Sequence, residues 1–309
     1  MIGIDTNRTA AEELSTYQDN IPDTFELKFT AQKDWQFWEV MALYLGGVGS
    51  GLYAVSYFLN VNIGLIIGFI LVVFCKNAAH LLSTSNPKKA LRAFSNPGRS
   101  WISRGSYCIL LFTVFGALDI VSRLGWINWG GSLPGTLISL LALLFAFFVM
   151  VYIGFVMSEA RIIPLWNSPL LPVIFFAYSL VLGAGLTLIV ISFEGIKYDI
   201  VLLRELLLGT IALTLFLIFV HLVVMMNSIK AARRSVDMLT RGKTGIIFIG
   251  GSQFAGLIVP LGLIGYAHIM TSSSEIVTIT SGVLILLGGF FFESSFLKAG
   301  IYTPLVDVD

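Results

Sequence analysis

Run after run of about 20 mostly apolar residues, divided by short polar breaks, constrains this chain more than any other feature, because that length carries a helix across the hydrocarbon core of a bilayer. The runs fall at 35–59, 63–84, 105–124, 133–157, 169–192, 204–227, 245–270 and 276–297. Only 12% of the residues are charged, against about 25% in an average soluble domain. The expected fold is therefore an all-α integral membrane protein with eight transmembrane helices, and an even number of crossings puts both ends on one side. Cys75 and Cys108 both lie inside apolar runs, which excludes a disulfide framework and leaves them as small buried residues.

The net charge of +1 argues for neither nucleic acid nor an acidic substrate, so the placement of the charges matters more than their sum. On the side of the termini lie Arg8, Lys28, Lys33, Lys88, Lys89, Arg92, Arg99, Arg104, Arg161, Lys230, Arg233, Arg234, Arg241, Lys243 and Lys298. Arg123, Lys197 and Arg204 lie on the other side, and Lys76 sits within a span. Fifteen against three places both termini in the cytoplasm by the positive-inside rule, unless the two basic loops serve a docking partner instead. Residues 1–34 are polar and lack the basic start and apolar stretch of a signal peptide, so they read as an extramembrane segment.

Two halves resemble each other. Gly46, Gly47, Gly49 and Gly51 in the first span answer to Gly183 and Gly185 in the fifth, and each half has its long basic loop after its second span. The offset is roughly 135 to 140 residues, and four helices per half makes the repeats parallel, which suggests two four-helix bundles over 35–160 and 161–298 with a tail over 299–309. Small residues spaced as Gly47 with Gly51, or Gly64 with Gly68, let helix backbones approach closely, although close approach of an elongated ligand would use the same residues.

Ionisable residues within the bilayer are costly, which makes each a functional candidate. Glu39 stands near the start of the first span. Lys76, Asn77 and His80 occupy the last two turns of the second, with Lys76 and His80 four apart on one face. Tyr107 follows in the third span, and Trp35, Trp38, Trp101, Tyr152 and Glu159 approach the same surface. A polar cluster among the first four helices is expected there, with Lys76 either finding an acid such as Glu39 or losing part of its preference for the charged form through desolvation. The tryptophans also suit interfacial anchoring, and Arg99 and Arg104 suit lipid phosphates. On the far side Asp119 and Arg123 are spaced as an intramembrane ion pair, and with Glu205 they are proton-path candidates. His221 and Glu293 approach the terminal side in the second half.

Other chemistries find no support. Of three histidines only His80 and His221 lie at similar depth, in different halves, and two lone cysteines cannot hold an iron–sulfur cluster. There is no phosphate-binding loop, no zinc-binding His-Glu-x-x-His helix and no nucleophile elbow, so no metal site is expected.

With these residues in view, the sequence resembles the NrfD-like family of integral membrane subunits of polysulfide reductase and related complexes. Four stretches carry the likeness: Tyr44-Leu-Gly-Gly-Val-Gly-Ser-Gly51; His80-Leu-Leu with Pro87-Lys-Lys-Ala-Leu-Arg-Ala-Phe94 and Asn96-Pro-Gly-Arg-Ser-Trp-Ile-Ser-Arg-Gly105; Pro164-Leu-Trp-Asn-Ser-Pro-Leu-Leu-Pro172 leading to Gly183-Ala-Gly185; and Gly288-Gly289. The resemblance implies a haem-free, cluster-free anchor that exchanges electrons with a quinone, menaquinone or ubiquinone. It further implies a partner iron–sulfur subunit of the four-cluster ferredoxin type and a catalytic subunit with a molybdenum or tungsten pterin. By family position the quinone pocket involves Glu39, Lys76, Asn77, His80 and Tyr107, and the loop arginines Arg92, Arg99 and Arg104 dock the partner. Ala42 stands where the polysulfide reductase subunit has a histidine, a departure that bears on the hydrogen bonds to quinone. Several family members hold their catalytic subunits outside the cytoplasm, and the charge count reverses that arrangement here. The rival functions are a secondary transporter with parallel repeats, which would need polar residues at the midplane, and a haem-binding membrane cytochrome.

Overall fold

The computed structural model describes residues 29–84, 87–129, 131–194, 198–270 and 274–304. Residues 1–28 of the polar N-terminal segment, 305–309 of the tail, and Lys197 lie outside the described residues. Eight helices among the described residues are long and apolar enough to span a bilayer: α1 (Phe37–Leu59), α2 (Asn62–Ser83), α3 (Trp101–Arg123), α4 (Leu133–Ser158), α5 (Leu171–Glu194), α6 (Ile200–Met226), α7 (Gly242–Ile269) and α8 (Glu275–Lys298). In hydrocarbon the backbone must satisfy itself, and a helix does so within one segment.

Two helices begin four residues earlier than hydropathy alone indicates, and a side-chain cap explains each. The Ser100 hydroxyl accepts from Ser103 N at 3.4 Å to open α3, and an Asp199 carboxylate oxygen accepts from Leu202 N at 2.9 Å to open α6. Capping sets where the helix starts, whereas hydropathy reports only where the lipid starts. A further helix, Lys230–Thr240, lies between α6 and α7 with Ala231, Ala232, Ser235, Val236 and Leu239 buried and Arg233, Arg234 and Asp237 exposed.

α1 packs on α2, α4, α5 and α8, and α5 packs on α1, α4, α6 and α8. These two helices hold the assembly together, and their sequences account for it. A Cβ placed on Gly51 would collide with the carbonyl of Ser179, and one on Gly183 would collide with the backbone of Gly51 and Leu52. Without side chains at the crossing, the two backbones touch, which maximises dispersion contact where no hydrophobic exclusion is available.

The described ends of the chain also meet. Ala31 and Ile301 form an antiparallel bridge, Gln32 N donates to Gly300 O at 2.8 Å, and Tyr302 N donates to Thr30 O at 2.9 Å. The buried side chain of Gln32 donates to Leu297 O at 3.0 Å, closing the end of α8.

Gly51→Ala or Gly183→Ala is expected to lower the thermal midpoint in detergent and to broaden the size-exclusion peak, because backbone cannot yield as a flexible side chain can. Gly209, with open space where a Cβ would go, is the control, and Gly209→Ala should leave the midpoint unchanged or slightly higher.

Candidate functional site

α2 does not run as a regular helix. Residues Leu71–Lys76 form a π-helical stretch before α-helical geometry resumes at Asn77. Such widened turns recur at functional sites because they re-aim the side chains that follow them. Here the residue at its end is Lys76, which is 0% exposed. Its stem lies along Gly46 of α1, where a Cβ would stand 3.2 Å from Lys76 Cδ and Cε. One of the four glycines of the first span thus makes room for a lysine.

The Lys76 ammonium has no hydrogen-bond partner among the described residues. It lies 5.4 Å from the centre of the Tyr152 ring of α4. A cation over an aromatic face gains about 2 kcal/mol when desolvated, while burying an ammonium costs several kcal/mol. The ring alone does not balance the burial. Glu39 is not the missing partner, since no ion pair joins the two among the described residues; its Oε2 instead accepts from Gln36 N at 3.0 Å at the start of α1. Of the two outcomes expected for Lys76, the pair with Glu39 is therefore not formed, because the carboxylate is engaged by the free backbone amide that every helix start leaves.

These residues face a cavity of about 510 Å³, in the range of small-molecule sites, roughly 300–1,000 Å³. The segment entering α1 contributes Trp35, and α1 itself Glu39 and Leu43; α2 contributes Lys76, Asn77, His80 and Leu81; α3 contributes Ile102, Ser106, Ile109, Leu110 and Thr113. Tyr152, Ile153 and Val156 of α4 form the back wall, and Ala93 and Phe94 of the loop close the end. Asn77 is partly committed, its Nδ2 donating to Val73 O at 2.8 Å. Four of the five residues expected at a quinone site are thus brought together, and Tyr107 is not among the lining residues. Tyr107 is exposed, its hydroxyl donating to Phe94 O at 3.3 Å and its ring meeting Phe94 edge-on at 5.4 Å, so it supports the cavity from outside. Trp35, which also suits interfacial anchoring, and Tyr152, expected near the same surface, are lining residues as well.

The loop motif Ser100-Trp-Ile-Ser-Arg-Gly105 now has a physical account. Trp101 stacks on Phe155 of α4 with centroids 4.1 Å apart, and Arg104 lies over Trp101 at 4.4 Å. Arg104 also donates to Pro97 O and Gly98 O, each at 2.9 Å. A Cβ on Gly105 would strike the ring of Tyr152, so this glycine admits the residue that faces Lys76. Arg104 is occupied in building the loop, whereas Arg92 and Arg99 are exposed.

On the far side Asp119 is buried and fully partnered. Its Oδ2 accepts from Tyr53 hydroxyl at 2.7 Å, Arg123 Nε reaches both carboxylate oxygens at 3.1 Å, and Ser139 hydroxyl donates to Oδ1. Arg123 also lies over the Tyr57 ring at 5.2 Å. This cluster ties α1, α3 and α4 together. Glu205 is exposed on α6 and does not join it, while the neighbouring Arg204 is buried and donates to Ala267 O at 3.1 Å. In the second half His221 Nε2 donates to Leu165 O at 3.1 Å, and Glu293 is buried with Oε2 unpartnered among the described residues.

An all-helical, multi-pass membrane protein with a polar-ended cavity within its first four helices is the class that fold and cavity define. The sequence profile described as Polysulphide reductase, NrfD matches residues 27–304. The chain belongs to the NrfD family, the membrane subunits of polysulfide reductase-type oxidoreductases, as the four sequence stretches implied. No curated protein matches the chain.

Removing only the acid from the far-side cluster should be far worse than removing the pair. Asp119→Leu leaves the half-buried Arg123 without its counter-charge and the Tyr53 and Ser139 hydroxyls without their acceptor, and is expected to cost about 2–3 kcal/mol, read as a lowered thermal midpoint in detergent. The double variant Asp119→Leu with Arg123→Leu should recover most of that loss; equal damage in both would show that the hydrogen bonds of Tyr53 and Ser139, not the charge, hold the three helices.

Proposed function

We propose that the chain is the quinone-reactive membrane subunit of a multi-subunit oxidoreductase, exchanging electrons with a partner iron–sulfur subunit of the four-cluster ferredoxin type. The observation that carries this reading is Lys76: a fully buried ammonium without an acceptor among the described residues, facing a cavity large enough for an aromatic head group. A quinone, menaquinone or ubiquinone, supplies two-electron, two-proton chemistry and has two carbonyl oxygens on which negative charge builds during reduction. Lys76 Nζ donates to one of them, which supplies the acceptor that the protein withholds. His80, one turn on along α2, donates to or accepts from the same end and moves a proton at a ring nitrogen. Glu39, at the start of α1, relays protons between the cavity and the terminal-side surface. Tyr152 holds the ammonium in place from behind, and Trp35 and Phe94 cover the ring.

In this reading the helices of residues 35–160 form the redox half and those of 161–298 the supporting half. Arg92 and Arg99 dock the partner through carboxylates, with Arg104 shaping the loop that presents them. A molybdenum or tungsten pterin subunit completes the complex. The chain resides in the cytoplasmic membrane with both termini in the cytoplasm, so the partners face the cytoplasm as well. Asp119 and Arg123 serve as the lock between α1, α3 and α4, with proton transfer through them as a secondary role.

Lys76→Met and His80→Ala should each abolish quinol-linked turnover in the assembled complex while leaving the partner's reaction with an artificial electron carrier intact. Normal quinol turnover by both assembled variants would move the site elsewhere. Charge reversal at Arg92 and Arg99 should release the partner and leave the chain inserted; retained co-purification would assign those arginines to lipid headgroups. A cytoplasmic reporter fused after Asp309 is expected to be active, and activity of a periplasm-only reporter there would invert the topology.

A further inference from the structure

The function proposed above leaves the second basic loop unused. Residues 226–249, from the end of α6 into α7, hold five bases, Lys230, Arg233, Arg234, Arg241 and Lys243, against one acid, Asp237. The helix Lys230–Thr240 sorts them to one side. Its apolar residues Ala231, Ala232, Val236 and Leu239 are buried where it packs on α6 and α7, so the bases stand on the opposite, exposed side.

Three of these charges are only weakly engaged. Arg241 meets Asp237 at 3.9 Å with side chains 82% and 59% exposed, a pair that solvent weakens. Arg233 Nε donates to Ser228 O at 3.0 Å, while its two terminal nitrogens have no partner among the described residues. Lys243 forms no ion pair among the described residues either. Arg234 is differently placed, with its guanidinium over the Phe29 ring at 3.9 Å.

Exposed apolar side chains flank the bases at both ends of this helix. Met226 is 57% exposed, Ile229 52% and Ile246 74%. Arg233 lies one turn beyond Ile229, and Lys243 one turn before Ile246 and Ile247, which is about 5 Å along a helix axis. Because α6 and α7 are spanning helices, exposed apolar residues at their ends mark where lipid chains stop. The bases stand one turn outside that level, at the depth of lipid headgroups. A water-soluble acidic protein answers the bases alone and leaves the neighbouring isoleucines uncovered, whereas a phospholipid answers both.

We infer that the exposed side of the helix Lys230–Thr240, with the start of α7, binds anionic phospholipids, their headgroups on Arg233, Arg241 and Lys243 and their chains against Ile229, Ile246 and Ile247. Arginine forks match phosphate oxygens in pairs, and the lysine adds a point charge. The inference does not depend on the quinone reading.

The test follows the thermal midpoint of the full chain in mild detergent with added phosphatidylglycerol or with phosphatidylcholine of identical acyl chains. Phosphatidylglycerol should raise the midpoint by at least about 2 °C more than phosphatidylcholine does. Arg233→Gln, Arg241→Gln and Lys243→Gln together should erase that difference. Removing as many charges by Lys88→Gln, Arg161→Gln and Lys298→Gln, all exposed on the terminal side, should preserve it. Equal shifts with the two lipids overturn the inference, and so does equal loss in the two triple variants, since net charge alone then explains the preference. Should the first triple variant not fold, phosphatidylglycerol with a photoreactive group beside its phosphate is applied to native membranes holding the unsubstituted chain. Labelling of the peptides within residues 229–247, displaced by phosphatidylglycerol and not by phosphatidylcholine, is the expected result. Labelling that appears only after peripheral proteins are stripped, or only after residues 1–28 are deleted, assigns the face to a protein partner or to that segment and overturns it.

Discussion

Backbone contact between α1 and α5 at Gly51 and Gly183 is the constraint on which the remaining structure depends. Lipid tails are as apolar as leucine, so helices in a bilayer are held by dispersion and hydrogen bonds, both of which fall steeply with distance. Once these two backbones touch, α4 and α8 settle against both of them, while α2 packs chiefly on α1 and α6 on α5. Their placement decides which face of α1 turns toward α2, and on that face Gly46 leaves the space that the Lys76 stem fills. The packing of the whole and the charge of the cavity therefore derive from one short run of glycines.

Two buried charges show how differently the chain treats ionisable groups. Asp119 is surrounded by Arg123, Tyr53 and Ser139, an arrangement in which every carboxylate lone pair has use. Lys76 has one aromatic ring and a cavity. A folded protein gains nothing by leaving an ammonium unpaired, and Gly105 preserves the position of the facing Tyr152 rather than relieving it. The asymmetry separates a charge that completes the fold from one that the described residues leave without a partner.

Much of this was legible in the sequence, for identifiable reasons. Span length and polar breaks determine the eight helices almost alone, since the bilayer sets one length scale for all of them. Glu39, Lys76, Asn77 and His80 were found because depth along a span follows from counting residues. Tyr107 was misplaced relative to the cavity because counting gives depth and not azimuth: its side of α3 faces Phe94 from outside. The π-helical stretch at Leu71–Lys76 was not legible, since no proline or glycine pair marks it, and it rotates everything after it. Likewise the Lys76–Glu39 pair failed because spacing cannot tell that Glu39 is already engaged by Gln36 N.

The pairing of Ala31 with Ile301 brings the two described ends of the membrane domain side by side, with Tyr302 N and Gln32 N adding hydrogen bonds on either side of the bridge. Seen this way the eight helices form a closed ring of elements rather than a line, with the seam at the terminal-side surface. In such a ring no helix is first or last in a mechanical sense, and pulling on either end loads α1 and α8 together. A force or a docking event at the seam is therefore delivered through Trp35, which rests on Trp166 at 5.2 Å and forms part of the cavity wall. The stitch that joins the described ends is thus linked by direct contacts to the cavity wall.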